Sequence, residues 1–585
     1  MKKFISLFRS SCLVAVLSVG LISSARANEQ QKLDQLLQEI WAYELSQFPS
    51  LARSKGQTPE AFFTDQSLAA KQARHQKFLA FAQQLEQVDA EALTNTAQIS
   101  LLMQQYRLAD YIDRFTFKEY LVPITSEYGF HASFSGIPDR TQINNQDDLV
   151  RYIAQLNAIP AQFTQQIDYM REGMSVGMVQ PQIVLQGFED SIKAMIVDEV
   201  EDSRFFAPIT AINDWIKAAQ KAQATEAVNK VNRAYQAFYD FMVNDYIPAA
   251  KTDISVKTWP QGEAFYNNRI KHFTTTDMTA EQIHALGLQE VARIRAEMQN
   301  IVDKLKFDGD INEFIEFLRS DPQFYASSAD DLLKEAAYIA KKMDAELPKL
   351  FKKLPRTPYG VAPVPDSIAP KYTTGRYISP RTDKDAGYYW VNTYALDKRP
   401  LYALPALTLH EAVPGHHLQI SLAAEMENLP EVRRSTYISA FGEGWGLYSE
   451  YLGVEVGIYD DPYDDFGRLS YEMWRACRLV VDTGMHMFGW SREKALNYML
   501  ENTALSAHNV QTEIDRYISW PAQALSYKIG EIKIKQLHSQ AEQALGDNFD
   551  IRDFHDAVLA HGSVPLFVLE QNMLRFIEEQ QNAIP

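Results

Sequence analysis

At positions 410–417 the chain reads HEAVPGHH, three histidines and a glutamate in eight residues of a 585-residue chain with only 12 histidines. Neutral imidazoles and carboxylates are a donor set that zinc takes, and a hydrolytic zinc site uses three protein ligands with a fourth position open to water. A glutamate beside the first ligand can take the proton of that water. His410 therefore reads as a metal ligand and Glu411 as a general base. The spacing is the obstacle. The common zinc helix reads H-E-x-x-H, whereas here Pro414 stands four residues after His410. On an unbroken α-helix His416 falls about 120° off the face of His410, and His417 returns to that face about 10.5 Å further along. Pro414 removes a helical hydrogen bond and clashes with the carbonyl four residues back, and Gly415 tolerates unusual dihedrals. A two-residue bulge there would bring His416 to the metal, with His417 as its support or its alternative.

A third ligand is expected from ISAFGEGWGLYSEY at 438–451. Glu443 and Glu450 are seven residues apart and share a helix face. Glu443 reads as the ligand and Glu450 as its support or alternative. Further along, Arg475, Arg478, Asp482 and His486 share one face of a helix. They could form a polar wall, with His486 steadying a transition state and an arginine holding a substrate carboxylate. The competing reading is a buried ion-pair network. RYISWPAQALSYKIG at 516–530 offers Arg516 as a substrate contact and Tyr517 or Tyr527 as a hydroxyl aimed at an oxyanion. GYYWVNTY at 387–394 could be an exposed strand edge that pairs with an extended peptide, Asn392 helping to hold it. His131, in YGFHASFSGIP, reads as an ordinary loop histidine.

HEAVPGHHLQ, GEGWGLYSE, EMWRACRLVVDTGMHMFGWS and RYISWPAQALSYKIG follow one another within about 120 residues. In this order they resemble the bacterial family catalogued as domain of unknown function 885, over most of the chain. The resemblance implies a zinc metallopeptidase with a glutamate as third ligand, more distantly similar to all-helical oligopeptidases and carboxypeptidases with a deep cleft. It implies His410, His416 and Glu443 as ligands of one Zn2+ and Glu411 as the base. Gly446 stands where relatives often carry alanine, and that exchange is expected to be harmless.

The elements that must position these residues are mostly helical. QKLDQLLQEIWAYELSQF at 31–48 puts Leu33, Leu36, Leu37, Ile40, Trp41 and Phe48 on one face, and Pro49 stops it. Thr279 and Gln282 have capping-box spacing ahead of a helix to about residue 303. Similar patterns recur at 75–90, 147–173, 205–245, 330–347, 466–488, 491–506, 522–545 and 551–561, with no fixed repeat. The proline-rich stretch from 354 cannot be helical. KYTTGRYI and GYYWVNTY read as short strands of a small sheet just before HEAVPGHH. The expected fold is mostly α, one large helical body with a cleft and a small β-sheet beside the metal-site helix. A soft division near residue 355 separates a helical half, 28–354, from a catalytic half, 355–585.

Residues 1–27 read as an export signal: a basic start, an apolar stretch and an Ala-Arg-Ala cleavage pattern at 25–27. Cleavage would move the formal net charge from −18 to −22. So acidic a chain argues against nucleic acid and anionic membrane as partners. A periplasmic location and a peptide partner are expected. Cys477 would then be the one remaining cysteine, so the core must carry stability without an internal disulfide. The alternatives are a zinc hydrolase of another amide or ester, and a non-enzymatic helical binding protein.

Overall fold

Thr279 closes the capping box its spacing predicts: its hydroxyl accepts from the Gln282 N–H at 3.3 Å, and its own N–H donates to the Gln282 side chain at 2.9 Å. In the computed structural model, residues 4–366, 368–380, 382 and 384–583 are described, those at 4–25 and 371 by backbone alone. Of the export signal expected at 1–27, residues 1–3 lie outside the described residues and 4–25 are described as helical backbone alone. Among the described residues no helix is long and apolar enough to cross a membrane.

The helices that build the body are α1 (Phe4–Gln47), α2 (Leu68–Glu86), α3 (Asn95–Thr116), α4 (Gln146–Val176), α5 (Ala218–Phe241), α6 (Ala280–Leu305) and α7 (Ala329–Leu350). A three-stranded sheet follows: β1 (Tyr359–Pro363), β2 (Gly375–Ile378) and β3 (Gly387–Val391). Then come α8 (Leu404–Glu411), α9 (His416–Ala424), α10 (Ser439–Glu455), α11 (Pro462–Met487), α12 (Ala507–Ser519), α13 (Ser526–Leu545) and α14 (Leu566–Ala583). The fold is mostly α, with one small sheet, as the periodicity predicts.

One hydrophobic core draws on both sides of residue 355, from Leu149 and Phe238 through Leu409 and Trp445 to Met573. A smaller cluster joins α1, α2 and α3 through Leu33, Phe78 and Leu108. The 205–245 pattern is not one helix. Short turns at Arg204–Phe206 and Ala207–Thr210 precede α5.

Two helix pairs frame the site. α6 lies along α11, and α10 along α13. The second pair is unusually close: a Cβ on Gly444 would come within 2.5 Å of the Gly530 Cα. Only glycine permits that approach, and it brings the helix carrying Glu443 and Glu450 against the one carrying Tyr527. The sheet order is β1-β3-β2, with β3 parallel to β1 and antiparallel to β2. GYYWVNTY therefore forms the central strand, and the expectation of an exposed edge there is corrected. The edge beside the site belongs to β2.

Candidate metal centre

The helix breaks where Pro414 and Gly415 predict. α8 ends at Glu411 and α9 begins at His416. The Gly415 N–H reaches back to Leu409 O at 3.0 Å, six residues rather than four, and His417 N reaches Ala412 O at 3.1 Å. The two extra residues are taken up as a loop between two helices, not as a bulge inside one. A Cβ on Gly415 would collide with the His410 carbonyl oxygen. Trp445 Nε1 donates to Pro414 O at 2.8 Å and ties the turn to α10.

The break turns His416 back toward His410. Their rings stand 4.7 Å apart at 88°. Donor atoms of His410, Glu411 and His416 all lie within 4.8 Å of one another, and all three residues are buried. Glu443 completes the group: its Oε2 is 3.6 Å from His410 Nε2 and 3.5 Å from His416 Nε2. Donors about 2.0–2.1 Å from a tetrahedral zinc stand about 3.4 Å apart. Glu443 meets that spacing to both histidines. Glu411 Oε2 instead accepts the Tyr377 N–H from the edge of β2 at 2.7 Å.

Beyond these residues, His410 Nδ1 faces Glu450 Oε1 at 2.8 Å. A carboxylate accepts only, so Nδ1 carries a proton, and Nε2, which faces Glu443 and His416, is the nitrogen that a metal would take. Burial alone would depress the His410 imidazole, but Glu443 and Glu450 outweigh it and push it up to about 9. Burial would raise Glu443, and the His416 and His410 rings hold it well below the usual carboxylate range. His416 Nδ1 is buried with no hydrogen-bond partner among the described residues. The donor set, its spacing and the fixed tautomer fit a zinc ion.

A model of a bacterial protein family of unknown function, DUF885, matches residues 49–573. The chain belongs to this family. A solved structure described as a "putative lipoprotein" from Colwellia psychrerythraea is similar at 27% identity and a TM-score of 0.83, over 94% of this chain and 99% of that one. Another, described as a "putative lipoprotein of unknown function" from Shewanella oneidensis, gives 19% and 0.75 over 93% and 99%. An M32 carboxypeptidase from Deinococcus radiodurans R1 aligns at 11% and a TM-score of only 0.37, over 95% of this chain and 98% of that one. No curated protein matches.

In this DUF885 chain several sequence expectations change. His417 turns away from Glu443: its Nδ1 meets Tyr377 OH at 3.0 Å and Ser421 Oγ at 3.3 Å, and its ring lies 4.5 Å from that of Tyr359. Burial lowers it to about 4, so it stays neutral. Arg475 does not wait for substrate. It donates to Glu450 Oε1 at 3.1 Å and to Tyr471 O at 3.2 Å, between the rings of Tyr471 and Trp474. It holds the carboxylate that holds His410.

Arg478 is buried too, bonded to Tyr517 OH at 2.7 Å and Glu513 at 3.0 Å. The Tyr517 hydroxyl is used up by Arg478, Trp474 and Glu513, so it is not the oxyanion donor expected. His486 is likewise corrected. Val256 N–H donates to its Nδ1 and Tyr517 O takes its Nε2 proton, both from backbone, and burial lowers the ring to about 4. Asp482 is far from a supporting ligand: its Oδ1 accepts from Tyr266 OH at 2.5 Å and Ala522 N at 3.2 Å. The α11 face is thus the buried network that competed with a polar wall.

Asn392 is buried and structural. Its amide donates to Ala369, Tyr372 and Thr373 carbonyls and its oxygen accepts from Tyr394 N, which pins the loop ahead of β2. His131 is buried against Ser191. The buried Tyr527 hydroxyl has one hydrogen-bond partner among the described residues, Arg516 at 3.5 Å. Arg516 also donates to Gln523 at 2.7 Å and pairs with Glu513 at 3.5 Å. Gly446 is not neutral: a Cβ there would come within 2.7 Å of the His410 ring. Sequence reasoning missed Tyr437, whose hydroxyl donates to Glu443 Oε1 at 3.0 Å. Its one signal is its place just before the Glu443 helix.

Proposed function

We propose that the chain is an exported zinc metallopeptidase that hydrolyses short peptides. The observation that carries this reading is Glu443 Oε2 standing at ligand spacing from both His410 Nε2 and His416 Nε2, with Glu450 fixing the His410 tautomer. His410, His416 and Glu443 would hold one zinc ion, and Tyr437 would steady the free oxygen of Glu443. When bound, the ion would polarise a scissile carbonyl and lower the pKa of a water toward about 7.

The chain's own residues do the rest. Glu411 is anchored through Oε2 by the Tyr377 N–H, which leaves Oε1 to accept the proton of the attacking water and return it to the leaving amine. Glu411 is one residue from His410, yet the two side chains point about 100° apart on α8, so base and ligand do not compete for one place. β2 presents its outer edge to Glu411, and an extended peptide can pair along it by backbone hydrogen bonds. Tyr527, with Arg516 beside it, can donate to an oxyanion. An export route fits the basic, apolar, Ala-x-Ala start and the lipoprotein descriptions of the solved relatives.

The test is zinc content together with peptide hydrolysis in unchanged and Glu411→Gln protein. One zinc per chain in both, with chelator-sensitive turnover reduced at least about a hundredfold in the variant, is the expected result. Turnover retained by Glu411→Gln overturns the mechanism.

A further inference from the structure

Away from the metal, a cavity of about 590 Å³ lies between the α2–α3 pair and the Ser519–Trp520–Pro521 segment. Its charged lining is basic, although the chain is strongly acidic: Lys71, Arg74, Arg114 and Arg269 face it against only Glu119 and Glu127. Two of the four cations have carboxylate partners, Arg114 with Glu119 and Arg269 with Asp110. Arg74 donates to a backbone carbonyl, that of Asp65. Lys71 forms no ion pair among the described residues. Its ammonium donates to Gln66 Oε1 and lies over the rings of Tyr120 and Tyr169, at 5.4 and 5.3 Å.

Beside it, His75 is stacked 4.4 Å from Phe115, its Nδ1 buried without a partner among the described residues. A partly buried ammonium held only by a neutral amide and two ring faces lacks a carboxylate in direct contact, and an anion entering the cavity would supply that contact. Burial and the nearby Arg74 and Arg114 push Lys71 down to about 8, against a smaller upward pull from the Asp65 carboxylate. The remaining wall is aromatic, with Phe78, Tyr111, Phe273 and Trp520.

One segment of the chain links the cavity's lining to residues placed near the metal centre. Ser519 and Trp520 come three and four residues after Arg516, at the end of α12, and the chain then runs to α13, which carries Tyr527. Ser519 Oγ accepts from Ser126 N at 3.0 Å, so the loop with Glu127 is fastened to the same segment. Glu127 stands in the field of Arg516 and of Arg376 on β2.

We infer that this cavity is a subsite for a carboxylate carried on an apolar or aromatic group, with Lys71 as its principal charge partner. On the peptidase reading, from which this inference takes its substrate, the carboxylate is the C-terminal end of the peptide. An acidic side chain near that end carries the same chemistry.

Binding is measured by calorimetry on the zinc-loaded full chain carrying Glu411→Gln. The probes are one hexapeptide ending in Phe as the free acid, the same peptide as the C-terminal amide, and the amide with Glu next to last. The free acid should bind about tenfold or more tightly than the plain amide. Lys71→Met should erase that preference and Lys71→Arg should keep it, all three proteins melting alike. Recovery of affinity by the Glu-containing amide assigns the subsite to a side-chain carboxylate; no recovery assigns it to the C-terminus. Equal affinity for acid and plain amide, or a preference that survives Lys71→Met, overturns the subsite. Absence of turnover in the unchanged protein with the preference intact overturns the peptidase reading and leaves the subsite standing.

Discussion

Glu450→Gln separates what holds the metal from what holds the fold. The Glu450 side chain is 1% exposed, and its Oε1 accepts from both His410 Nδ1 and Arg475. Glutamine keeps the size and an acceptor and removes only the charge. That charge, together with Glu443, stabilises a proton on His410 and raises the imidazole to about 9 against its burial. It stabilises a dication more than a proton, so losing it weakens zinc despite reduced proton competition. Partners of a ligating histidine are worth about 10–100-fold in metal affinity, or about 1.4–2.7 kcal/mol. The same change strands Arg475, whose side chain is 5% exposed. A buried charge left without its partner costs about 3–5 kcal/mol. Adding Arg475→Met should restore much of the stability and none of the zinc affinity. Zinc affinity follows from competition with a chromophoric chelator, and stability from urea unfolding. An unchanged zinc Kd in Glu450→Gln, in a protein where His410→Ala abolishes binding, refutes the reasoning.

Gly446→Ala should weaken zinc binding while leaving α10 helical, because the new methyl displaces the His410 ring; chelator competition and circular dichroism check the two halves. Asp482 gives a pH signature. Burial raises its carboxyl from 3.8 to about 7. Below pH 3.8 both folded and unfolded chains carry the proton and the group contributes nothing to pH dependence. Between 3.8 and 7 only the folded chain keeps it, so stability falls as pH rises, by up to about 4 kcal/mol. Asp482→Asn should flatten that fall in urea midpoints, and parallel pH curves for the two proteins would contradict it.

Much of the site was legible because its signals are local. Pro414 and Gly415 announce a broken helix, and the spacing error in HEAVPGHH equals the two residues that the break absorbs. The Thr279 capping box is legible for the same reason. The rest depends on what the fold brings from elsewhere. Arg475 and Arg478 share a helix face with Asp482 and His486, but periodicity does not say whether a polar face meets a cleft or other buried polar groups. Here Glu450, Glu513, Tyr266 and backbone groups meet it. Strand order in the sheet is set by a crossover, so GYYWVNTY gave no sign that it would lie in the middle. α3 and α14 went unread, although Thr94 caps α3. Tyr437 reaches Glu443 from outside any helix, and no spacing rule points to it.

The most direct measurement is a crystal structure of the zinc-loaded protein with anomalous data at the zinc edge. The account predicts one ion per chain, bound by His410 Nε2, His416 Nε2 and Glu443, with Glu411 free of it and His417 still on Tyr377. An ion bound through His417, or no zinc peak between α8, α9 and α10 in protein that has taken up the metal, would contradict it.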